Sequence, residues 1–145
     1  VKCAKVQDKP QNMVPHPVIY FDGFCKLCNY SVSVVKKYDR RRIFRYAHLS
    51  SNYAQIHLKQ TPKKNQIPDS VILQLDDRLL SQSEAVFAIL EYLDPPIKWL
   101  RIFRIFPTFL LNGVYRIIAK TRYRIFGRNR QCPVPDASER YLFLD

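Results

Sequence analysis

The sequence of 145 residues predicts one α/β domain built around a small mixed sheet. Three observations lead to this fold class. Short runs of β-branched and aromatic residues alternate with segments of helical periodicity. A hydrophobic content of 47% is sufficient for a packed core without disulfide bonds. Two cysteines three positions apart follow the first strand-like run directly, where a helix is expected to begin.

The first half of the domain predicts two parallel strands joined by a helix. "PVIYF" (17–21) is a compact β-branched and aromatic run, and "IFRYAHL" (43–49) is a second one. Between them, from Lys26 to Tyr38, apolar residues recur at helical spacing until "DRRR" (39–42) breaks the pattern. A strand, a helix and a strand in this order favour a right-handed unit with parallel pairing.

A short helix and a hairpin come next. Ser50-Ser51-Asn52 can cap a helix that continues through Leu58. "SVILQL" (70–75) is the clearest strand of the chain, and Asp76-Asp77 turns it back into "RLL" (78–80). This half of the sheet is therefore expected to be antiparallel.

The helix after the hairpin completes the core. Ser81 and Glu84 have the spacing of a capping box, and the helix that they begin stops at Asp94-Pro95-Pro96. The resulting order is β-α-β-α-β-β-α. This is the element order of a thioredoxin fold, which has a parallel pair, an antiparallel hairpin and helices covering the sheet.

The domain organisation follows from the same pass along the chain. We expect residues 1–16 to form a flexible arm and residues 17–145 to form a single domain. Beyond the thioredoxin-like core, residues 97–145 predict a basic helical extension, interrupted at Pro107 and near Gly113 and ending in an irregular strap.

Cys25 and Cys28 predict a redox-active dithiol. A helix that starts just after Cys25 stabilises a thiolate there through its free N–H groups and its dipole. Cys28 then lies one turn further in, beneath Cys25 and less exposed, so that Cys25 attacks and Cys28 resolves. Two buried core thiols and half of a zinc site are the alternatives. The zinc site lacks a second cysteine pair or suitably spaced histidines.

Asp22, three positions before Cys25, has two interpretations that the sequence leaves open. Its carboxylate can cap the turn by accepting hydrogen bonds from backbone N–H groups. It can also accept the proton of Cys28 during resolution, which requires partial burial and a raised pKa of Asp22. Its negative charge opposes a thiolate at Cys25, so a simple activating role is disfavoured.

The segment "YFDGFCKLCN" (20–29) resembles the signature of the DCC family of predicted thiol–disulfide oxidoreductases, named for its Asp, Cys and Cys. The resemblance continues in "DSVIL" (69–73), "SEAVFAIL" (83–90) and "VYRIIAKTRYRIFGRNRQC" (114–132). It therefore covers nearly all of residues 17–135. It implies a thioredoxin-like core and a dithiol function, with the three signature residues at Asp22, Cys25 and Cys28.

The net charge of +12 is concentrated towards the C-terminus, where residues 96–130 carry nine Lys or Arg and no Asp or Glu. The favoured interpretation packs the apolar residues of this block on the core, with Arg side chains covering its edge. Peripheral contact of residues 97–130 with an anionic membrane surface is an alternative, and nucleic-acid binding is disfavoured. "RYRIFGRNR" (122–130) can approach the cysteine pair and favour the Cys25 thiolate or an acidic partner. Cys132 is either a third redox thiol or a buried cysteine.

These features predict thiol–disulfide exchange with a protein or a small-thiol substrate, without a cofactor or a metal. A non-catalytic basic adaptor on anionic membranes and a metal-binding module are the alternatives. We expect a monomer. The first seventeen residues contain no apolar signal core, which predicts a cytoplasmic location. The alternative location is an organelle, reached after removal of a leader that is not present in this chain.

Overall fold

The computed structural model describes residues 16–59, 71–75, 78–131 and 134–144. The strands are β1 Val18–Phe21, β2 Arg45–His48, β3 Ile72–Leu75 and β4 Arg78–Ser81. The α-helices are α1 Lys26–Tyr38, α2 Asn52–Lys59, α3 Gln82–Tyr92 and α4 Thr108–Ile125. Two 3₁₀ helices span Ile97–Ile105 and Arg140–Leu142.

The described strands form one sheet in the order β2-β1-β3-β4. β1 and β2 are parallel and are joined by α1, whereas β1 pairs with β3, and β3 with β4, in antiparallel fashion. This mixed arrangement confirms the predicted α/β class and is consistent with a thioredoxin-like fold. β1 lies inside the sheet, and its carboxyl end leads directly into the turn that carries the cysteines.

β1 is buried on both faces because helices cover the sheet on each side. Ile19 and Phe21 pack in the larger core cluster, which also contains both cysteines and residues of α1 and α3. On the opposite face, Tyr20 packs with Ala54 and Leu58 of α2. Burial of one large apolar side chain contributes roughly 1.5–3 kcal/mol. The strand before the cysteines is therefore held firmly in place.

Most predicted elements are present. The helix predicted over Lys26–Tyr38 is confirmed as α1, and the strand predicted over 43–49 is the shorter β2. α2 begins where expected, with the Ser51 hydroxyl accepting the N–H of Ala54 at 3.1 Å. The arm predicted over residues 1–16, apart from its last residue, and the Asp76-Asp77 turn lie outside the described residues.

The capping box predicted at the start of α3 is wrong. Among the described residues, the Ser81 side chain makes no capping hydrogen bond. Gln82, the first residue of α3, has a φ of 56°, which differs from the regular helical entry that a capping box requires. Ser83, rather than Ser81, is bonded at this end of the helix, through its hydroxyl to the side-chain oxygen of Asn112 in α4.

The extension breaks at one of the two predicted places. The first 3₁₀ helix ends at Ile105 and α4 begins at Thr108, so the interruption at Pro107 is confirmed. The interruption near Gly113 is wrong, because α4 continues through this residue. Glycine inside a helix costs only about 1 kcal/mol relative to alanine, which contacts on either side can offset.

The C-terminal segment packs beside β2. Phe143 pairs with Tyr46 in an isolated parallel bridge, and the N–H of Leu144 donates to the Tyr46 carbonyl at 2.8 Å. Leu142 is buried in the larger core cluster. This segment therefore anchors the chain beyond the extension to the sheet.

The favoured packing of the basic block is wrong along its outer side. Four large apolar residues of the block are each at least 73% exposed to solvent: Trp99, Ile102, Ile105 and Phe109. Inward residues of the block such as Tyr123 do pack against the core. The reason is geometric, since the first 3₁₀ helix and α4 each contact α3 on one side. The described residues leave the opposite side uncovered.

The turn after α1 offers a test of the fold. Asp39 is buried, and its two carboxylate oxygens accept the N–H groups of Ile43 and Phe44 at 3.1 and 3.0 Å. Asp39→Ala leaves both N–H groups without this acceptor and should lower the free energy of unfolding by about 3 kcal/mol. Urea denaturation followed by circular dichroism measures the difference.

Asp136→Ala is the matched control, because Asp136 is exposed. Its free energy of unfolding should stay within about 0.5 kcal/mol of the wild-type value. Equal losses in the two variants would contradict the capping role of Asp39.

Candidate active site

The turn between β1 and α1 places Cys25 at the N-terminus of the helix. Cys25 is the N-cap residue, with extended backbone angles, and its Sγ accepts the N–H of Cys28 at 3.2 Å. The sulfur therefore occupies the position in which a serine or aspartate oxygen usually caps a helix. The free N–H groups and the dipole of α1 favour negative charge at this sulfur.

Asp22 and Asn29 hold the turn in shape. The Asp22 Oδ1 accepts the N–H of Phe24 at 2.9 Å, and its carbonyl accepts the N–H of Cys25 at 3.2 Å. The Asn29 side chain donates to the carbonyl of Gly23 at 2.8 Å. One oxygen of Asp22 is thus used in capping the turn, while the other faces away from the backbone towards α4.

Arg122 of α4 reaches both Asp22 and Cys28. Its Nη2 donates to the Asp22 Oδ2 at 3.2 Å, and its Nη1 lies 3.5 Å from the Cys28 Sγ. The Tyr123 hydroxyl donates to the same Asp22 oxygen. The Arg122 side chain is 4% exposed and that of Asp22 is 15% exposed. The ion pair is therefore largely buried beside the cysteines.

The expected approach of "RYRIFGRNR" (122–130) to the cysteine pair is observed. The guanidinium of Arg122 lies against the sulfur of Cys28, and the backbone of Arg128 pairs with that of Cys25. Helical periodicity could have placed Arg122 on the inner side of α4, although it could not have identified its partners. Arg122 follows Tyr115 by two helical turns and Ala119 by one, on the side of α4 that packs on the domain.

Both thiols are buried, and the predicted order of exposure is wrong. Cys25 is 0% exposed and Cys28 is 6% exposed, although Cys25 was expected to be the more accessible. The chain after α4 covers it. Gly127, with a φ of 82°, reverses the chain in the left-handed conformation that follows many helices. Arg128 then pairs with Cys25 as an antiparallel bridge.

Further contacts hold this covering segment over the turn. The Asn129 N–H donates to the Phe24 carbonyl at 2.7 Å. The Arg128 guanidinium stacks over the rings of Phe24 and Tyr123, 5.4 Å from each centroid. Access to Cys25 therefore requires displacement of residues 127–130.

The electrostatics of the two thiols differ. The pKa of Cys28 is raised to about 12, first by burial and then by the hydrogen bond to Cys25 and the charges of Cys25 and Asp22, against the opposing effect of Arg122. Cys28 is therefore a protonated thiol at neutral pH. Cys25 is the sulfur that accepts a helix N–H. The two sulfurs therefore lie in chemically different environments.

The part of the chain that the structure describes contains no evident metal-binding site. Those residues contain no group of three or more His, Cys, Asp or Glu able to hold a metal ion. Cys25 and Cys28 are described as free thiols. Cys132, the candidate third redox thiol, lies outside the described residues.

The geometry of the cysteine pair agrees with a comparison against protein families. The model of the DCC1-like thiol-disulfide oxidoreductase family matches residues 19–128, which include the turn, both cysteines and all of α4. The chain belongs to the DCC1-like thiol-disulfide oxidoreductase family. The resemblance noted in the sequence is thereby confirmed, and the family's name supports a thiol–disulfide redox role.

Two relatives cover most of the chain. A DCC family protein of Arabidopsis thaliana, whose name describes it as chloroplastic, is 37% identical over 80% of this chain and 68% of its own length. The protein YuxK of Bacillus subtilis, described as uncharacterized, is 30% identical over 90% of this chain and 96% of its own length. No solved structure matches the chain significantly.

The buried ion pair generates a prediction about stability. Arg122→Met removes the cation and leaves the Asp22 carboxylate buried beside Cys28. We expect the free energy of unfolding to fall by about 3 kcal/mol, because an uncompensated buried charge is costly. Chemical denaturation of the reduced protein measures it.

Arg124→Met, on the same helix, is the control. Arg124 is exposed, so its replacement should change the free energy of unfolding by no more than about 0.5 kcal/mol. If the Arg122 variant were as stable as the Arg124 variant, the ion pair would not hold α4 against the turn.

Proposed function

We propose that the chain is a thiol–disulfide oxidoreductase in which Cys25 attacks a substrate disulfide and Cys28 resolves the mixed disulfide. The observation that carries the proposal is the 3.2 Å hydrogen bond from the Cys28 N–H to the Cys25 Sγ at the start of α1. It places one sulfur where the helix stabilises a thiolate, with the second sulfur one turn away.

The reaction is a pair of exchange steps. The Cys25 thiolate attacks one substrate sulfur, a Cys25–substrate bond forms, and the other substrate sulfur leaves as a thiolate. Cys28 then loses its proton and attacks the Cys25 sulfur. The Cys25–Cys28 bond forms as the mixed disulfide breaks. The substrate disulfide has gained an electron pair, and the dithiol has lost one.

The second step needs a thiolate at Cys28, whose pKa is raised to about 12. Arg122 supports this step because its Nη1 lies 3.5 Å from the Cys28 sulfur and its positive charge stabilises the thiolate. Asp22 holds Arg122 in position through its Oδ2. We assign to Asp22 the acceptance of the Cys28 proton, in addition to its capping of Phe24.

The substrate must displace residues 127–130 before the first step. This segment is held over Cys25 by one backbone bridge, one hydrogen bond and stacking of Arg128.

A disulfide on a protein or on a small thiol is the substrate class of the proposal. The dithiol chemistry needs no bound cofactor. The cytoplasmic location and the monomeric state stay predictions from the sequence.

The two cysteines should behave differently when each is replaced. In a background of Cys3→Ser and Cys132→Ser, Cys25→Ser should reduce exchange with bis(2-hydroxyethyl) disulfide on the order of a thousandfold or more, because the attacking sulfur is gone. Cys28→Ser should instead accumulate a mixed disulfide on Cys25. Mass spectrometry of the intact protein and of its peptides detects the adduct.

Circular dichroism of both variants serves as the control for folding. An adduct on Cys28 that forms in Cys25→Ser as fast as the Cys25 adduct forms in Cys28→Ser would reverse the assignment of roles.

Asp22→Asn separates proton transfer from capping, since an amide oxygen can still accept the Phe24 N–H. We expect resolution of the mixed disulfide to slow by about a hundredfold, the usual scale of a lost general base. Single-turnover quench experiments measure this step. Added imidazole should restore part of the rate, because a small base can replace a missing proton acceptor and cannot replace a missing cap.

If the rate of resolution were unchanged in Asp22→Asn, Asp22 would not accept the Cys28 proton, and its roles would be capping of the turn and the ion pair with Arg122. A slower rate that imidazole does not restore would point to the same conclusion, with the loss caused by displacement of Arg122.

A further inference from the structure

The outer side of the extension carries large apolar residues that are exposed and do not pack on the core. The first 3₁₀ helix has about three residues per turn, so residues three apart form one ridge. Trp99, Ile102 and Ile105 form such a ridge and are 73%, 73% and 83% exposed. Contiguous apolar surface of this kind marks a site of interaction with a partner or a membrane.

α4 begins three residues after the first 3₁₀ helix ends, exposes further apolar residues and adds a row of cations. Ile117, 64% exposed, lies on the side of the helix away from the domain. Arg116, Lys120 and Arg124 recur every four residues and are all exposed, so they form a row along one flank of the helix. We call the Trp99–Ile102–Ile105 ridge, Ile117 and this cationic row the outer surface.

The charge of the outer surface has one sign. Residues 96–130 carry nine Lys or Arg and no Asp or Glu. Within the described chain, Arg104 pairs with Glu91 and Arg122 pairs with Asp22, but no ion pair is described for the Arg116, Lys120 and Arg124 row. These three cations are available to an external anion.

We propose that the outer surface docks on an anionic lipid bilayer, with the ridge in the headgroup region and the cationic row on the phosphates. Basic amphipathic helices with exposed Trp, Phe and Ile residues lie in the membrane interface in this way, held by apolar burial and by attraction to anionic lipids. No helix among the described residues is long and apolar enough to cross a membrane. The contact is therefore a peripheral one.

Charge complementarity favours a bilayer over a second copy of the chain. A symmetric dimer through the outer surface would place the same unpaired cations against one another, which is unfavourable. A nucleic acid would satisfy the cations and leave the isoleucines of the ridge without an apolar environment. An anionic bilayer satisfies both components at once.

The outer surface and the cysteine site share α4. Arg122 projects from its inner side to Asp22 and Cys28, while Ile117 faces outwards. Docking would therefore bring the dithiol close to the membrane surface. The docking itself involves neither cysteine, so a failure of the proposed exchange chemistry and a failure of docking are separately measurable.

Trp99 is the only tryptophan of the chain and lies on the outer surface, so its fluorescence reports docking directly. We expect a blue shift when the full chain is mixed with vesicles of equal parts phosphatidylcholine and phosphatidylserine. Vesicles of phosphatidylcholine alone should give little shift, and high salt should reverse it. Vesicle flotation should follow the same pattern.

Two variants test the two components of the surface. Replacing Arg116, Lys120 and Arg124 together by Gln should weaken binding by about a hundredfold, since each cation near an anionic surface contributes roughly fivefold. The control replaces Lys37, Arg78 and Arg140 by Gln, which removes the same charge from exposed positions on other elements. It should lose far less affinity.

The double variant Ile102→Ser, Ile105→Ser should abolish the stable complex while leaving the fold intact, because both residues are exposed. Ile56→Ser, an exposed position on α2, is its control. Cys25→Ser should bind as the wild type does. Equal binding by the outer-surface variants and their controls would overturn the proposal. The proposal would also be overturned if the Trp99 blue shift appeared without lipid and analytical ultracentrifugation showed that the chain had dimerised under those conditions.

Discussion

The buried ion pair between Asp22 and Arg122 joins α4 to the turn that carries the cysteines. One Asp22 oxygen caps the turn at Phe24, and the other accepts Arg122 from a helix a hundred positions further along. This carboxylate therefore ties the N-terminal strand–helix unit to α4. Without it, a buried guanidinium and a buried thiol would lie together with no compensating negative charge. The covering of Cys25 by the chain after α4 depends on the same anchorage.

Burial has opposite consequences for the two steps of the proposed reaction. It raises the pKa of Cys28 and so keeps the resolving sulfur protonated at neutral pH. It also hides Cys25, which the substrate must reach first. The contacts over Cys25 are one bridge, one backbone hydrogen bond and the stacking of an arginine, which are weak compared with the packing of β1. In the proposed reaction, the covering segment has to move before Cys25 can attack.

α4 has two chemically different sides that the fold keeps apart. Its inner side supplies Arg122 and Tyr123 to the turn, and its outer side exposes isoleucines beside a row of cations. A helix with a single apolar face would be explained by packing alone. Here the exposed apolar residues lie away from the domain, and the buried cation lies towards it. In a helix that only covers a core, the apolar residues would face the domain and the cations would face the solvent. α4 differs because it exposes isoleucines and buries Arg122.

The order of elements, the parallel and antiparallel pairings and the helix start at Cys25 were determined by local sequence. Strand-forming runs, helical periodicity and turn residues depend on neighbouring positions only, so these signals can be recognised in the sequence without knowledge of the fold. Local sequence also identified Asp22, Cys25 and Cys28 as a candidate site. It misassigned the cap of α3, the break at Gly113, the packing of the basic block and the exposure of Cys25. Each of these depends on which distant segment lies alongside, as Asn112 does for Ser83 and Arg128 for Cys25. The pairing of Arg122 with Asp22 and Cys28 was decided by the tertiary structure alone, because only folding brings α4 to the first turn of the domain.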